Sequence, residues 1–586
     1  MKVKLRNWRT FVAPHLDPVK DPVVAGLLAA LTGVIVGYAA LGFRLAISGI
    51  QWLGFGTTSE DLVMGLGDIA AWQIVGVPVL AGICAAFLIR YLLKDRAAGS
   101  IAEVIDGHRF HEGKLSFRYG LGSALTTVIS LGGGASGGRE GPIVHLGATI
   151  SSRMVTWLGA PPLLNRTLLA CGIAAAVAAS FNAPIAGVFF ATEVILGHNR
   201  LHSFAPIVIA SIVATIVSRV HIGDFPAFII PDYQIVSFWE FPAFLLLGIT
   251  AGLVAVGFMR TVLLADNLAA RLGKRRWMLP PVAGLIIGLM ALHSIEILGV
   301  GYGATDAALK ELFTLPTLVQ LLLLKIVATA ICLACRFGSG VFSPALYLGA
   351  MLGGGFGIVA AMVFPQFAAS HGLYAIVGMG AVAAAVLGAP ISTILIVFEL
   401  TGDYQVTLAL MAAVVVANLT TSSLFGPSFF HAQLKRRGLR MDEDEARRKM
   451  RLRQVKDVMS QTFVTVPLDA PLPRVRALVQ SLEGQEVFAV DGNGVFKGTI
   501  RLKDLTTDVF DKNLDQLVRA CDLARPQKSL ILQTDSLAQA LSLTKVANED
   551  TMPVLDDLEG RRIVGVVSRT QLLATFQKLL DEAAAG

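Results

Sequence analysis

The chain has 586 residues, of which 54% are hydrophobic and only 16% charged, and its formal net charge is +7. Soluble domains carry roughly 25% charged residues, and the mean hydropathy here is +0.65. These values exclude a water-soluble globular enzyme and a disordered chain, and five cysteines in so long a chain exclude a disulfide scaffold.

The start, Met1 to Arg9, is basic, and no short apolar core with a small-residue cleavage site follows it. The first apolar run, Val23 to Phe43, is of spanning length, which predicts a retained helix with residues 1–20 on the cytoplasmic side. Phe241 to Met259 and Val406 to Phe425 are also free of charge, and each can cross a hydrocarbon core of about 30 Å. Between Arg336 and Glu399 there is no Asp, Glu, Lys or Arg. A polytopic α-helical membrane unit over residues 21–432 is expected, because lipid leaves backbone polar groups no other partners short of a closed barrel.

Within that unit two interruptions match. Ser180-Phe-Asn-Ala-Pro184 and Leu387-Gly-Ala-Pro390 each break an apolar stretch and are followed by an apolar run ending in a carboxylate, Glu193 or Glu399. Paired breaks in two halves predict an internal repeat with discontinuous helices around a midplane site. The glycine-rich Gly132-Gly-Gly-Ala-Ser-Gly-Gly-Arg-Glu-Gly-Pro142 lacks the Gly-Lys-Ser/Thr ending of a nucleotide loop. It leads into an apolar helix, whose N-terminus offers free N–H groups and about half a positive charge to an anion. Ala97 to Glu103 and Gly338 to Pro344 are two further loop-to-helix starts of this kind. Cys332 and Cys335 have CxxC spacing without a second pair or a histidine cluster, so no metal site is expected.

Residues 433–455 form a basic connector that includes Lys435, Arg436, Arg437 and Arg440, expected on the same side as the N-terminus. Topology and anionic lipid account for the positive charge without a nucleic-acid partner. Residues 456–586 change to a soluble α/β pattern with two similar units, about 456–510 and 517–582. In the first, strands at Phe463–Pro467, Val487–Val490 and Gly498–Ile500 flank a helix near Leu472 to Leu482. In the second, strands at Leu530–Leu532, Met552–Leu555 and Ile563–Ser568 flank a helix near Leu537 to Val546.

The chain resembles the CLC chloride channel and transporter family. Gly138-Arg-Glu-Gly-Pro142 matches the family's GREGP motif, Gly340-Val-Phe-Ser-Pro344 its GxFxP motif, and residues 97–103 more loosely its GSGIP motif. The resemblance implies an inverted-repeat fold, a homodimer with one anion pathway per subunit, chloride as permeant ion, and no enzymatic activity or required cofactor. It also implies a multi-pass protein of a bacterial inner membrane with both termini cytoplasmic. The tail resembles a tandem pair of CBS domains, which often bind adenine nucleotides through an acidic residue on the ribose. Asp504 fits that place in the first unit, whereas the second offers Gln571.

Carried over, Glu140 is the gating carboxylate, beside Arg139. The anion donors are the backbone N–H groups of Glu140, Gly141, Val341 and Phe342. The family's anion-coordinating serine falls at Gly99, so either Ser100 substitutes or backbone and water hold the ion. The pore tyrosine falls at Phe430, or at Phe429 with another gap placement, which makes the inner gate apolar. Glu193 is a structural carboxylate, and the proton-transfer glutamate of family exchangers falls at Val194. Asn182 and Thr192 nearby are polar but not titratable. A missing inner carboxylate favours passive anion conduction, with chloride/proton exchange as the alternative.

Overall fold

In a computed structural model of the protein, residues 22–585 are described apart from 58–68, 112, 160–161, 198–200, 225–227, 229–237, 366–369, 440–444, 482–485, 502–511, 528 and 548. The chain separates into two compact units, Met1–Leu439 and Arg440–Gly586. The expected connector is thus divided: its first residues end the membrane unit, and Glu445–Leu452 is a helix of the second.

Among the described residues, the regular elements of the first unit are helices. In chain order it contains α1 (Pro22–Phe55), α2 (Ala71–Tyr91), α3 (Ile101–Phe110), α4 (Phe117–Gly132), α5 (Glu140–Leu158), α6 (Pro162–Phe181) and α7 (Pro184–Phe190), which continues as a π turn over Ala191–Leu196. Then come α8 (Leu201–Ile222), α9 (Phe241–Ala270), α10 (Pro280–Ala291), α11 (Tyr302–Leu309), α12 (Leu315–Ala334), α13 (Phe342–Val363), α14 (His371–Leu387), α15 (Pro390–Thr401), α16 (Tyr404–Leu424) and α17 (Phe429–Arg436). Among the described residues, eight helices are long and apolar enough to cross a membrane. Val23 to Phe43 and Phe241 to Met259 lie within such helices, which run on to Phe55 and Ala270, and Val406 to Phe425 lies in α16 but for its last residue.

The two halves repeat at the level of single residues. Helices α6 and α14 both end at a residue in left-handed conformation, Asn182 (φ 59°) and Gly388 (φ 66°). Ala-Pro follows each time, and proline at the first helical position starts α7 and α15. The carboxylates after those breaks cross over. Glu193 accepts from the backbone N–H groups of Ile391 (3.0 Å) and Ser392 (2.8 Å) at the start of α15. Glu399 accepts from Ile185 (2.9 Å) and Ala186 (2.7 Å) at the start of α7. Each half therefore satisfies the orphan donors of the other's broken helix with a negative charge at its positive end. Glycine lets the long helices touch: a Cβ on Gly147 would lie 2.5 Å from the Gly172 carbonyl oxygen, and one on Gly349 would lie 2.3 Å from that of Gly378.

The second unit holds two three-stranded sheets of identical topology. In β1 (Val464–Pro467), β2 (Val487–Val490) and β3 (Phe496–Ile500), β1 pairs parallel with β2, and β2 antiparallel with β3. In β4 (Ile531–Leu532), β5 (Thr551–Leu555) and β6 (Ile563–Ser568), the pattern recurs. Helices at Leu472–Ser481 and Leu537–Ala547 are the crossovers, within a residue of their sequence positions. The apolar faces pack as separate clusters around Val466, Val475 and Val487 and around Ile531, Val554 and Leu572.

Candidate anion site

Two glycine-rich loops, one from each half, meet backbone to backbone. Gly138 N–H donates to the Gly340 carbonyl (2.7 Å) and Gly340 N–H donates back to that of Gly138 (2.8 Å). Helices α5 and α13 start immediately after this bridge. The first intrahelical bonds reach Ile143 from Arg139 and Ala345 from Val341, so Glu140, Gly141, Phe342 and Ser343 begin their helices with N–H groups that lack intrahelical acceptors. Pro142 and Pro344, next in line, have no N–H. The Gly99–Ser100 turn approaches the same place: a Cβ on Gly141 would lie 3.8 Å from both Ser100 Cβ and Gly340 Cα. All three sequence-predicted loop-to-helix starts thus converge.

The Glu140 side chain, 1% exposed, folds back into this meeting point. Its Oε1 accepts from the Tyr302 hydroxyl (2.7 Å), and its Oε2 accepts from the Ser343 hydroxyl. Arg139 Nε stands 3.8 Å from Oε1, and the guanidinium lies over the Tyr302 ring, 4.8 Å from its centroid. The ion pair within the motif is present, but the shorter contacts are hydroxyl hydrogen bonds from the other half. Tyr302 opens α11 after the Ile297–Gly301 loop, and Lys325, buried in α12, donates to the carbonyls of Ile297 (3.0 Å) and Gly299 (3.1 Å). The Gly299 carbonyl also accepts from Gly137 N–H (3.2 Å), so one buried amino group ties the Tyr302 loop to the loop carrying Glu140.

Beyond Ser100 lies a cavity of about 370 Å³. Its walls carry Arg276, Arg336, Arg436 and Arg437 against Glu103 and Asp266, a balance that favours anions. Ser100 lines it, but both its N–H (2.7 Å) and its hydroxyl (3.2 Å) donate to Glu103, which also pairs with Arg437. A hydroxyl has one hydrogen, so in this arrangement Ser100 has none for an anion. The cavity wall takes Phe429, the alternative placement of the pore tyrosine; Phe430 is buried outside the lining.

Among the other expected positions, Val194 sits in the π turn, an element often found at functional sites. Thr192 donates to its own helix carbonyls, Val188 (3.2 Å) and Phe189 (2.9 Å), and Asn182 is held by Arg219 (2.8 Å) and Asp224 (3.2 Å). Asp504 lies outside the described residues, and the Gln571 side chain donates to the Val458 carbonyl. Sequence reasoning did not find Tyr302, Ser343 or Lys325. Ser343 stood inside a recognised motif, whereas a lysine in the apolar run of α12 was a signal available to read.

Comparison with known proteins decides the family: residues 81–422 match the family model described as voltage gated chloride channel, and residues 455–510 match that of the CBS domain. The chain belongs to the CLC family. A putative chloride channel protein ClcB-like from Ralstonia nicotianae is 31% identical over 413 residues, 70% of this chain and 96% of the relative. The H(+)/Cl(−) exchange transporter ClcA of Cronobacter sakazakii is 32% identical over 447 residues, covering 71% and 90%. In fold, the crystal structure of a slow cyanobacterial Cl−/H+ antiporter superposes with a TM-score of 0.63 at 24% identity, over 72% of this chain and 99% of that one. A eukaryotic CLC transporter superposes with a TM-score of 0.61 at 19% identity, over 93% and 97%, so its likeness extends through the second unit's residues. The protein is therefore a multi-pass CLC membrane protein of an anion-transporting family, with a C-terminal CBS pair.

Proposed function

We propose that the protein exchanges chloride for protons across a membrane, with Glu140 as the gate. The observation that carries this reading is the position of the Glu140 carboxylate at the convergence of the helix starts, bonded by Tyr302 and Ser343. An ionised carboxylate there occupies the donors an anion needs, so carboxylate and chloride exclude one another. A proton discharges the carboxylate and releases it, which links one proton to each opening. Exchange is also the activity named for the ClcA relatives, and it is favoured here over the passive conduction expected from Val194. Passive conduction is the second reading, because valine at 194 offers no titratable stop for a proton.

Liposomes carrying an outward chloride gradient test the choice. Chloride efflux should drive uphill proton uptake at a fixed ratio, and efflux without proton movement would return the passive reading.

The homodimer belongs to the same proposal. Ile185 and Ile391 lie exposed on the short helices α7 and α15, where apolar side chains await lipid or a second subunit. The basic segments at both ends of the membrane unit support cytoplasmic termini in a bacterial inner membrane. Any adenine nucleotide at the CBS pair would rest on the Asp504 half, since the Gln571 amide is already engaged. Calorimetry of the full chain with ATP and AMP, before and after Asp504→Ala, tests that assignment.

A further inference from the structure

The spanning helix α2 ends at Tyr91, and the chain turns through Leu92 to Arg96 at the membrane edge. Lys94 (φ 51°) and Asp95 (φ 65°) are both left-handed, an arrangement uncommon outside glycine. This turn separates its charges. The Asp95 carboxylate pairs with Arg90, and the Asp95 carbonyl accepts from Arg336. Lys94 instead lines a cavity of about 730 Å³, together with Arg96 and, from the start of α4, Arg118.

Among the described residues no carboxylate lines this cavity, and none of its lining residues is shared with the cavity beyond Ser100. Arg96 lies over the Tyr119 ring, 5.9 Å from its centroid. Lys94 and Arg118, both exposed, pair with no carboxylate among the described residues. A concavity lined by one sign of charge draws the opposite sign, so the pocket calls for an anion.

The remaining wall is apolar and exposed. Leu121 and Leu125, one turn apart on α4, line it with Tyr91, which is 77% exposed. Tyr91 stacks on Phe87, one turn back along α2, with ring centroids 6.1 Å apart and planes 9° apart. Phe87 is exposed as well, so an apolar strip runs from the charged mouth along a spanning helix into the hydrocarbon. A soluble phosphate could use the cations but not the strip. A phospholipid uses both, and a zwitterionic headgroup would bring a further cation to three others.

We propose that this pocket binds an anionic phospholipid, with its phosphodiester among Lys94, Arg96 and Arg118 and an acyl chain along Tyr91 and Phe87. The site stands apart from the anion pathway and holds whether the protein exchanges or conducts.

Full-length protein in detergent, offered equal amounts of phosphatidylglycerol and phosphatidylcholine, tests it through the lipid retained in native mass spectrometry. Wild type should retain phosphatidylglycerol in preference. Lys94→Gln combined with Arg118→Gln should lower that retention about tenfold or more and leave phosphatidylcholine unchanged. Arg271→Gln combined with Arg275→Gln removes two exposed cations outside the pocket and should behave as wild type. Equal retention of the two lipids by wild type, or an equal loss in both double variants, would overturn the site. Glycerol 1-phosphate that displaces phosphatidylglycerol at equal concentration would give the pocket to a soluble phosphate and overturn the lipid.

Discussion

The Ser343 hydroxyl donates to the carboxylate of Glu140, so a residue from one half of the repeat holds the proposed gate of the other. The two residues lie 203 positions apart, and they meet because Gly138 and Gly340 exchange backbone hydrogen bonds just before them. Three outcomes follow from this geometry, and a fourth concerns the second unit.

Glu140→Gln removes the charge that competes with chloride while keeping the side chain's size. Chloride flux should persist, lose its dependence on pH and no longer move protons. Flux assays across pH 4.5–7.5 check this; a pH response equal to wild type would remove Glu140 from the gate.

Tyr302→Phe and Ser343→Ala each delete one hydroxyl donor to the carboxylate. Hydrogen bonds to charged groups contribute roughly 1.5–3 kcal/mol, so either variant should ease opening by about tenfold or more at neutral pH. Single-site flux rates and the double variant check this, and an effect of the pair larger than either alone is expected.

Lys325→Met removes the amino group that donates to the Ile297 and Gly299 carbonyls and unfastens the loop before Tyr302. The Ile297 carbonyl left unpaired costs ~1–3 kcal/mol, while that of Gly299 keeps only the Gly137 N–H. The variant should lose thermal stability in detergent, and any folded fraction should show the faster flux of Tyr302→Phe.

In the second unit, the Val495 amide (2.9 Å) and then the Asn493 amide (3.0 Å) donate to the Asp491 carboxylate, which holds it below the usual aspartate value. A depressed carboxyl contributes stability that is present above the unfolded value of about 3.9 and lost as pH falls through the folded one. Asp491→Asn should therefore make the β2–β3 turn more susceptible to limited proteolysis of the full chain at pH 7. The difference should close as the pH drops below about 4.

Much of this architecture was legible in the sequence. Uncharged runs marked the long helices because lipid admits few charges, and alternating strands with helical crossovers marked both tail units almost to the residue. Gly138 to Pro142 and Gly340 to Pro344 were visible as loop-to-helix starts because glycine and proline there set the backbone path. What stayed hidden depended on the approach of distant segments. Tyr302 reads as one aromatic among many until its hydroxyl meets Glu140. His145 reads as a histidine in an apolar helix until its ring fills the space over Gly99. Whether Phe429 or Phe430 faces the cavity turns on a single-residue gap, which only the helix phase of Phe429–Arg436 resolves. The connector divided at Leu439 because the short basic helix before it packs with the membrane unit, a preference that charge alone did not reveal.

The reciprocal bonds between Gly138 and Gly340 also bear on how such a chain could arise and be dismantled. Each half contributes one donor and one acceptor, and each supplies a capping glutamate to the other's broken helix, so neither half completes the candidate site on its own. Cutting the gene between the halves would leave two fragments, each with an exposed polar seam inside the bilayer. Such fragments should transport only when expressed together, with the seam itself selecting the correct mate.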